Sequence, residues 1–78
     1  MVPLNTLRVG DRGKVVHFSE GGRAYRSKLL SMGVTPGTEF SIVRFAPLGD
    51  PIELEVRGYR LSLRRAESEV VMVEVSDE

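Results

Sequence analysis

The chain has 78 residues, of which 41% are hydrophobic and 28% charged, and it contains no cysteine. This length predicts one domain over residues 1–78, with a small core that buries roughly 60% of the chain's surface. Without cysteine, the sequence excludes disulfide bridges, thiolate metal sites and thiol catalysis. The eleven basic and eleven acidic residues balance, which excludes a protein that binds nucleic acid through bulk positive charge.

The balance hides an uneven distribution of charge. Residues 1–65 carry all eleven basic side chains and six acidic ones, whereas residues 66–78 carry five acidic side chains and no basic one. The sequence therefore predicts a basic body followed by an acidic C-terminal tail, a pairing that shapes association with charged partners.

The sequence shows no targeting or membrane-spanning segment. The N-terminus lacks a basic start followed by an apolar stretch, and the longest apolar run covers residues 70–73. A bilayer span needs about 20 apolar residues. We therefore expect a soluble, cytoplasmic protein.

The N-terminal half predicts one strand and one helix. Residues 4–7 form a short turn or a single helical turn, and the β-branched run over residues 13–18 predicts a strand. The helix covers residues 23–32, because Tyr25, Leu29 and Met32 recur at helical spacing on one face. Gly33 then stands where a left-handed C-terminal cap belongs. Residues 35–38, Thr-Pro-Gly-Thr, fit a type II turn.

The C-terminal half predicts the remaining strands. Residues 39–46 form one strand, and the alternation of apolar and charged residues over 52–57 indicates a second. A turn at residues 58–59 leads to a third strand around Leu61 and Leu63, a helical turn follows at 65–69, and residues 71–75 form the last strand. Five short strands with one early helix predict a mostly β fold, a small SH3-like barrel, with a five-stranded OB-type barrel as the alternative.

Catalytic and metal sites are not apparent in the sequence. The single histidine, His17, lacks a partnered nucleophile and carboxylate, so no catalytic triad is indicated and we expect no enzyme. His17 and Glu20 supply two adjacent potential ligands, which is too few for a dedicated metal site. We therefore expect no metal site and no cofactor, and place His17 at the surface or rim of the barrel.

The helix presents a second face that suits a partner. Leu30 lies opposite the buried face, between Arg23 and Arg26, which is the pattern of an apolar anchor with a charged rim. The two arginines stand in the first helical turn, where the helix dipole disfavours cations. The alternative is that Leu30 is an ordinary exposed leucine or is tucked under a loop.

Residues 46–51, Ala-Pro-Leu-Gly-Asp-Pro, form the second candidate binding element. Two prolines stiffen this connection, and a stiff loop loses little entropy on docking. Leu48 is the one bulky apolar side chain at its tip, so it serves either as an anchor or as a plug folded back on the barrel. With Arg23, Arg26 and Leu30, the predicted partner-binding residues include four from this loop, namely Pro47, Leu48, Gly49 and Asp50.

These two segments carry a resemblance to a known family. The runs YRSKLLSMG at 25–33, PG at 36–37 and VRFAPLGDPI at 43–52 resemble the ferrous iron transport protein A (FeoA) family, and LSLR at 61–64 extends the likeness. Matched by position, residues 25–33 are the family's helix and residues 46–51 its loop. The same fold recurs as a C-terminal module of iron-dependent repressors.

The resemblance implies a cytosolic SH3-like barrel that works beside FeoB, a membrane protein that imports Fe²⁺ and has a cytosolic GTPase domain. It implies a non-enzymatic role in regulating or assembling that transporter by contact, with the membrane reached only through the partner. The five aromatic residues and the dispersed arginines separately lead us to expect no nucleic acid as a partner, and a weak homo-oligomer is left open. The alternatives are a regulatory or nucleic-acid-binding module, suggested by the basic body, and a metal sensor built on His17 and nearby carboxylates.

Overall fold

The computed structural model describes residues 1–76. Its strands, in chain order, are β1 (Val2–Pro3), β2 (Arg12–Phe18), β3 (Glu39–Phe45), β4 (Ile52–Val56), β5 (Tyr59–Leu63) and β6 (Val71–Val75). The helices are α1 (Arg23–Ser31) and α2 (Arg65–Ser68), and 3₁₀ turns occupy Leu4–Thr6 and Glu20–Gly22.

The strands of residues 1–76 form a single six-stranded antiparallel sheet in the order β1-β6-β2-β3-β4-β5. The central strands β2 and β3 each carry a register shift, between Val15 and His17 and between Ile42 and Arg44. An extra residue in one strand bends it and increases its twist. The two irregularities therefore allow the long middle strands to curl around the core.

The core is a single apolar cluster between the curled sheet and α1. The side chains that are almost fully buried come from every part of the chain and include Leu4, Leu29, Ile52, Leu54, Leu63, Val71 and Val73. In β4 the buried residues alternate with exposed or half-buried glutamates, as the apolar alternation predicted. Tyr25 and Met32 pack against the same cluster as Leu29, so the predicted inner face of the helix is confirmed.

The helix α1 ends through a backbone motif. The Val34 amide donates to the Leu29 carbonyl at 2.9 Å, and the Gly33 amide donates to the Leu30 carbonyl at 3.1 Å. This pair of bonds is a Schellman motif, and it requires a left-handed residue at Gly33, whose φ is +94°. The predicted glycine cap is confirmed, although α1 ends at Ser31, one residue earlier than predicted.

The expectation of a mostly β fold with one early helix is confirmed, with two corrections. A sixth strand, β1, pairs with β6 through Val2 and Val73; two residues are too few to show an alternating pattern. The turn between β4 and β5 lies at residues 57–58, so Tyr59 belongs to the strand.

The acidic C-terminal stretch predicted over residues 66–78 is part of the fold as far as Val75. The helical turn and the last strand predicted there are present as α2 and β6, and β6 lies between β1 and β2 inside the sheet. Two of the five acidic residues, Asp77 and Glu78, lie outside the described residues.

Candidate partner-binding surface

The outer face of α1 borders a groove. One part, of about 170 Å³, is lined by His17, Phe18, Arg26, Leu30 and Pro36. The adjoining part, of about 540 Å³, is lined by Phe18, Ser19, Glu20, Gly22, Arg23 and Arg26. Both parts share Phe18 and Arg26, so they adjoin each other between α1 and the end of β2, and together we call them the α1 groove.

Leu30 lies in this groove, 37% exposed. It shares its part of the groove with Phe18 and Pro36, which gives the groove an apolar floor. Leu30 therefore lies at the surface beside two other apolar side chains.

The electrostatics of the α1 groove are positive and unbalanced. The first turn of α1 contains no acidic residue, and the Gly22 N-cap offers no side chain to its amides. Within residues 1–76, neither Arg23 nor Arg26 takes part in an ion pair. Both arginines lie in the first turn of α1, near the positive end of the helix dipole, and Glu20 is the acidic residue that lines the groove with them.

The loop of residues 46–51 displays Leu48 outward. The Leu48 side chain is 93% exposed, which rules out the plug interpretation. The loop is held by its own backbone, because the Gly49 amide donates to the Ala46 carbonyl at 2.7 Å and the Ala46 amide donates to the Pro51 carbonyl at 3.0 Å. A fixed loop therefore presents a large apolar side chain entirely to solvent.

The loop and the α1 groove lie on different flanks of the helix. Asp50 Oδ1 accepts a hydrogen bond from the Arg65 amide, which ties the loop to α2. In α2, Glu67 Oε2 accepts from Lys28 Nζ of α1. Lys28 and Leu30 are about 200° apart around an α-helix, so these hydrogen bonds reach the flank of α1 that lies away from Leu30. The two predicted patches are thus two separate surfaces.

Glu67 links α2 to α1, and it is not among the residues predicted from the sequence. Its side chain is only 4% exposed. One carboxylate oxygen accepts from Lys28 Nζ at 2.5 Å and the other from the Arg64 amide at 2.8 Å. Burial alone would raise the pKa of Glu67, but the bonds from Lys28 and the Arg64 amide outweigh it and hold the pKa below its usual value. The sequence does contain a signal for this role. Glu67 follows the N-cap residue Arg64 by three positions, the spacing at which a glutamate carboxylate accepts from the N-cap amide.

His17 is exposed, and its Nδ1 lies 3.0 Å from the Phe18 carbonyl. Glu20 lines the neighbouring part of the groove. Within residues 1–76, no group of three or more histidine and acidic side chains is close enough to hold a metal ion.

The sheet, the helix and the surface groove define a class of small β domains. An FeoA from Stenotrophomonas maltophilia, crystallised with zinc and described as a prokaryotic SH3 domain protein, superposes with a TM-score of 0.78 at 25% identity, covering 95% of this chain and 91% of that one. The SH3-like architecture predicted from the sequence is confirmed by this likeness.

The amino-acid sequence also identifies the family. The model of the FeoA domain matches residues 2–75, and the chain belongs to the FeoA domain family. An FeoA-like protein from Clostridium acetobutylicum shares 40% identity and a TM-score of 0.89, with 99% of this chain and 88% of that chain covered.

One curated relative is a fusion protein. A protein from Porphyromonas gingivalis described as an Fe(2+) transport protein A/Fe(2+) transporter FeoB fusion is 35% identical over 72 residues, which are 92% of this chain. The chain spans 8% of the length of that fusion protein.

A manganese-dependent transcriptional repressor shares the fold at 16% identity, with a TM-score of 0.86 over 96% of this chain and 41% of that chain. Within residues 1–76, no helix has the length and apolar character that crossing a bilayer requires.

Proposed function

We propose that this protein is a non-enzymatic accessory protein of bacterial ferrous iron uptake, which binds the cytosolic part of an FeoB-type transporter and regulates or assembles it. The observation that carries the proposal is the P. gingivalis fusion, in which a relative of this domain and the transporter share one polypeptide. Joining two parts covalently raises their effective mutual concentration to about the millimolar range. Such a fusion is favoured where the separate parts must meet.

The surface supports a role through contact. Two large apolar side chains, Leu30 and Leu48, are presented on opposite flanks of the helix region, one in a groove and one on a fixed loop. A few well-packed residues near the centre of a protein interface carry most of its binding energy, and arginine is enriched among them. The partner-binding residues we assign are those predicted from the sequence, Arg23, Arg26, Leu30, Pro47, Leu48, Gly49 and Asp50.

The buried carboxylate of Glu67 has a structural role. Its pKa is lowered by its bonds to Lys28 and to the Arg64 amide, against the effect of burial. Strongly shifted groups in clefts are the usual sign of a catalytic centre. The Glu67 carboxylate is already held by Lys28 and Arg64 inside the protein, so its shift has a structural cause.

A titration of this protein with the transporter's cytosolic part tests the proposal. We expect Leu30→Glu and Leu48→Glu each to weaken binding at least about tenfold, because each puts a charge where an apolar contact forms. Val9→Glu is the matched control, since Val9 is also an exposed apolar residue, at 58%, but lies outside both surfaces. This control is expected to bind like the wild type.

Two outcomes would contradict parts of the proposal. If the wild type fails to bind the full transporter, the function is wrong. If both variants bind as well as the wild type, the function stands and our site assignment is wrong. Repeating the titration with GDP and with a non-hydrolysable GTP analogue shows whether the partner's nucleotide state controls binding.

A further inference from the structure

The α1 groove combines an apolar floor with a positive rim. Leu30, Phe18 and Pro36 form the floor, and Arg26 stands beside them. The floor part has a volume of about 170 Å³, close to the engineered apolar cavity of about 150 Å³ that accommodates benzene in another protein. This part of the groove therefore has room for one large apolar side chain.

The rim of the groove carries more positive than negative charge in the described part of the chain. Arg23 and Arg26 form no ion pair there, and Glu20 is the single acidic residue that lines the groove. The other exposed cation of α1, Lys28, is already bound to Glu67 on the opposite flank. Positive charge is therefore left over on one flank only, the flank that carries the apolar floor.

From these observations we infer that the α1 groove binds an acidic polypeptide segment, which places one large apolar side chain over Leu30 and its carboxylates against Arg23 and Arg26. This inference rests on the proposed function, since the segment would belong to the cytosolic part of the transporter. Guanidinium groups bind carboxylates through paired, charge-assisted hydrogen bonds. The groove thereby selects its partner by charge and fixes its position by the apolar contact.

An acidic polypeptide fits the groove better than a nucleic acid does. A platform for single strands stacks bases on exposed aromatic side chains. Of the two aromatic rings that line the groove, Phe18 is half-buried and packs against the core, which leaves the exposed His17 as a single stacking surface. Two arginines around an apolar depression match a short acidic segment with an anchor.

The first test is a titration with the transporter's cytosolic part, comparing a groove variant with a matched charge control. The groove variant is Arg23→Gln with Arg26→Gln, and the control is Arg12→Gln with Arg60→Gln, which removes two exposed arginines from strands instead. We expect the groove variant to bind at least about tenfold more weakly and the control to stay within about threefold. The wild-type affinity should fall as salt rises, and the groove variant should lose much of that dependence.

The second test uses defined peptides and nuclear magnetic resonance. Titration with the peptide Glu-Glu-Leu-Glu-Glu should shift the amide signals of Phe18, Arg26 and Leu30, while Gln-Gln-Leu-Gln-Gln and Glu-Glu-Ala-Glu-Glu should shift them far less. These two controls remove the charge and the anchor separately.

The outcomes separate this inference from the proposed function. If the wild type binds the transporter and the groove variant binds equally well, the inference is overturned and the function stands. Shifts confined to the Leu48 loop, or stronger binding of a single-stranded oligonucleotide than of the acidic peptide in the groove, would also overturn it. If the wild type does not bind the transporter at all, both fall together.

Discussion

At the scale of single residues, Glu67 makes the stability of the fold depend on pH. It is buried, ionised and bonded to both Lys28 and the Arg64 amide, and its pKa is lowered. A carboxyl group whose folded pKa lies below its unfolded pKa stabilises the fold above the unfolded value, about 4.3 for glutamate. That contribution is lost as the pH falls through the folded pKa.

We therefore predict that Glu67→Gln lowers the free energy of unfolding at pH 7 by about 1–3 kcal/mol, because hydrogen bonds to a charged group are removed. The difference between variant and wild type should shrink as the pH falls below about 4, since the variant has no carboxyl group to protonate. Urea unfolding followed across this range measures it. Glu69→Gln is the control, because Glu69 is exposed in its pair with Arg65, and it should stay within about 0.5 kcal/mol. An equal cost for both variants would contradict the assigned role.

Gly33 is the second residue whose identity is dictated locally. It has a left-handed backbone, and a Cβ placed there would lie 2.2 Å from Tyr59 Oη. That hydroxyl donates a hydrogen bond of 2.9 Å to the Met32 carbonyl. Gly37 has a similar φ, +90°, but a Cβ added there would meet open space. A substitution at Gly37 therefore tests backbone strain alone, whereas one at Gly33 tests strain and steric crowding together.

We predict that Gly37→Ala costs about 1–2 kcal/mol from the left-handed backbone alone, whereas Gly33→Ala costs about 1 kcal/mol more, since Tyr59 must move and lose its hydrogen bond. In a Tyr59→Phe background the extra cost should largely disappear. A double-mutant cycle from urea unfolding measures this coupling. Additive effects of Gly33→Ala and Tyr59→Phe would show that the two residues do not interact.

At the scale of secondary-structure elements, α2 is a connector four residues long. It binds the loop through the Arg65 amide and binds α1 through Glu67. The loop that carries Leu48 is therefore held both by its own backbone and by a helical turn that follows β5 in the chain. Hydrogen bonds from several segments converge on this short element.

We predict that Asp50→Ala accelerates hydrogen exchange of the Arg65 amide by about tenfold, which corresponds to about 1.4 kcal/mol of lost local protection. Asp11→Ala is the reciprocal control, because Asp11 Oδ2 accepts from the Arg8 amide at 2.8 Å. In that variant the Arg8 amide should exchange faster, and the Arg65 amide should not. Unchanged exchange at Arg65 in Asp50→Ala would mean that the loop and α2 are held by other contacts.

At the scale of the whole molecule, the start of the chain is part of the core. Leu4 is fully buried, as is Leu29 of the helix. Its 3₁₀ turn leads from β1, which pairs with β6. The first residues are therefore integrated into the sheet through the last strand.

We predict that Leu4→Ala lowers the free energy of unfolding by about 2–5 kcal/mol, the range for a leucine removed from a packed core. Val9→Ala, at an exposed position nearby, should stay within about 0.5 kcal/mol. Urea unfolding of both variants provides the comparison. A similarly small effect for Leu4→Ala would show that the first turn contributes little to the core.

The sequence predicted best those features that depend on local pattern. The apolar alternation in β4, the inner face of α1 and the Gly33 cap were all recognised, because each is set by residues a few positions apart. The sequence could not give the place of β6 between β1 and β2, since strand order depends on pairing over the full length of the chain.

The residues of the candidate site were likewise predicted only where they follow from local spacing. The exposed Leu30 and its two arginines followed from helical spacing alone, but the neighbouring Phe18 and Pro36 come from other elements and were not foreseen. Counting charge along the chain identified an acidic C-terminal stretch, but a count does not show that Glu67 is buried against Lys28.

The pairing of β1 with β6 sets Val2 opposite Val73, so the two ends of the described domain emerge at one corner of the molecule. A covalent tether attached at either end would leave from that corner and give the barrel a similar reach. A fusion at either terminus would therefore place the larger polypeptide on the same side of this domain.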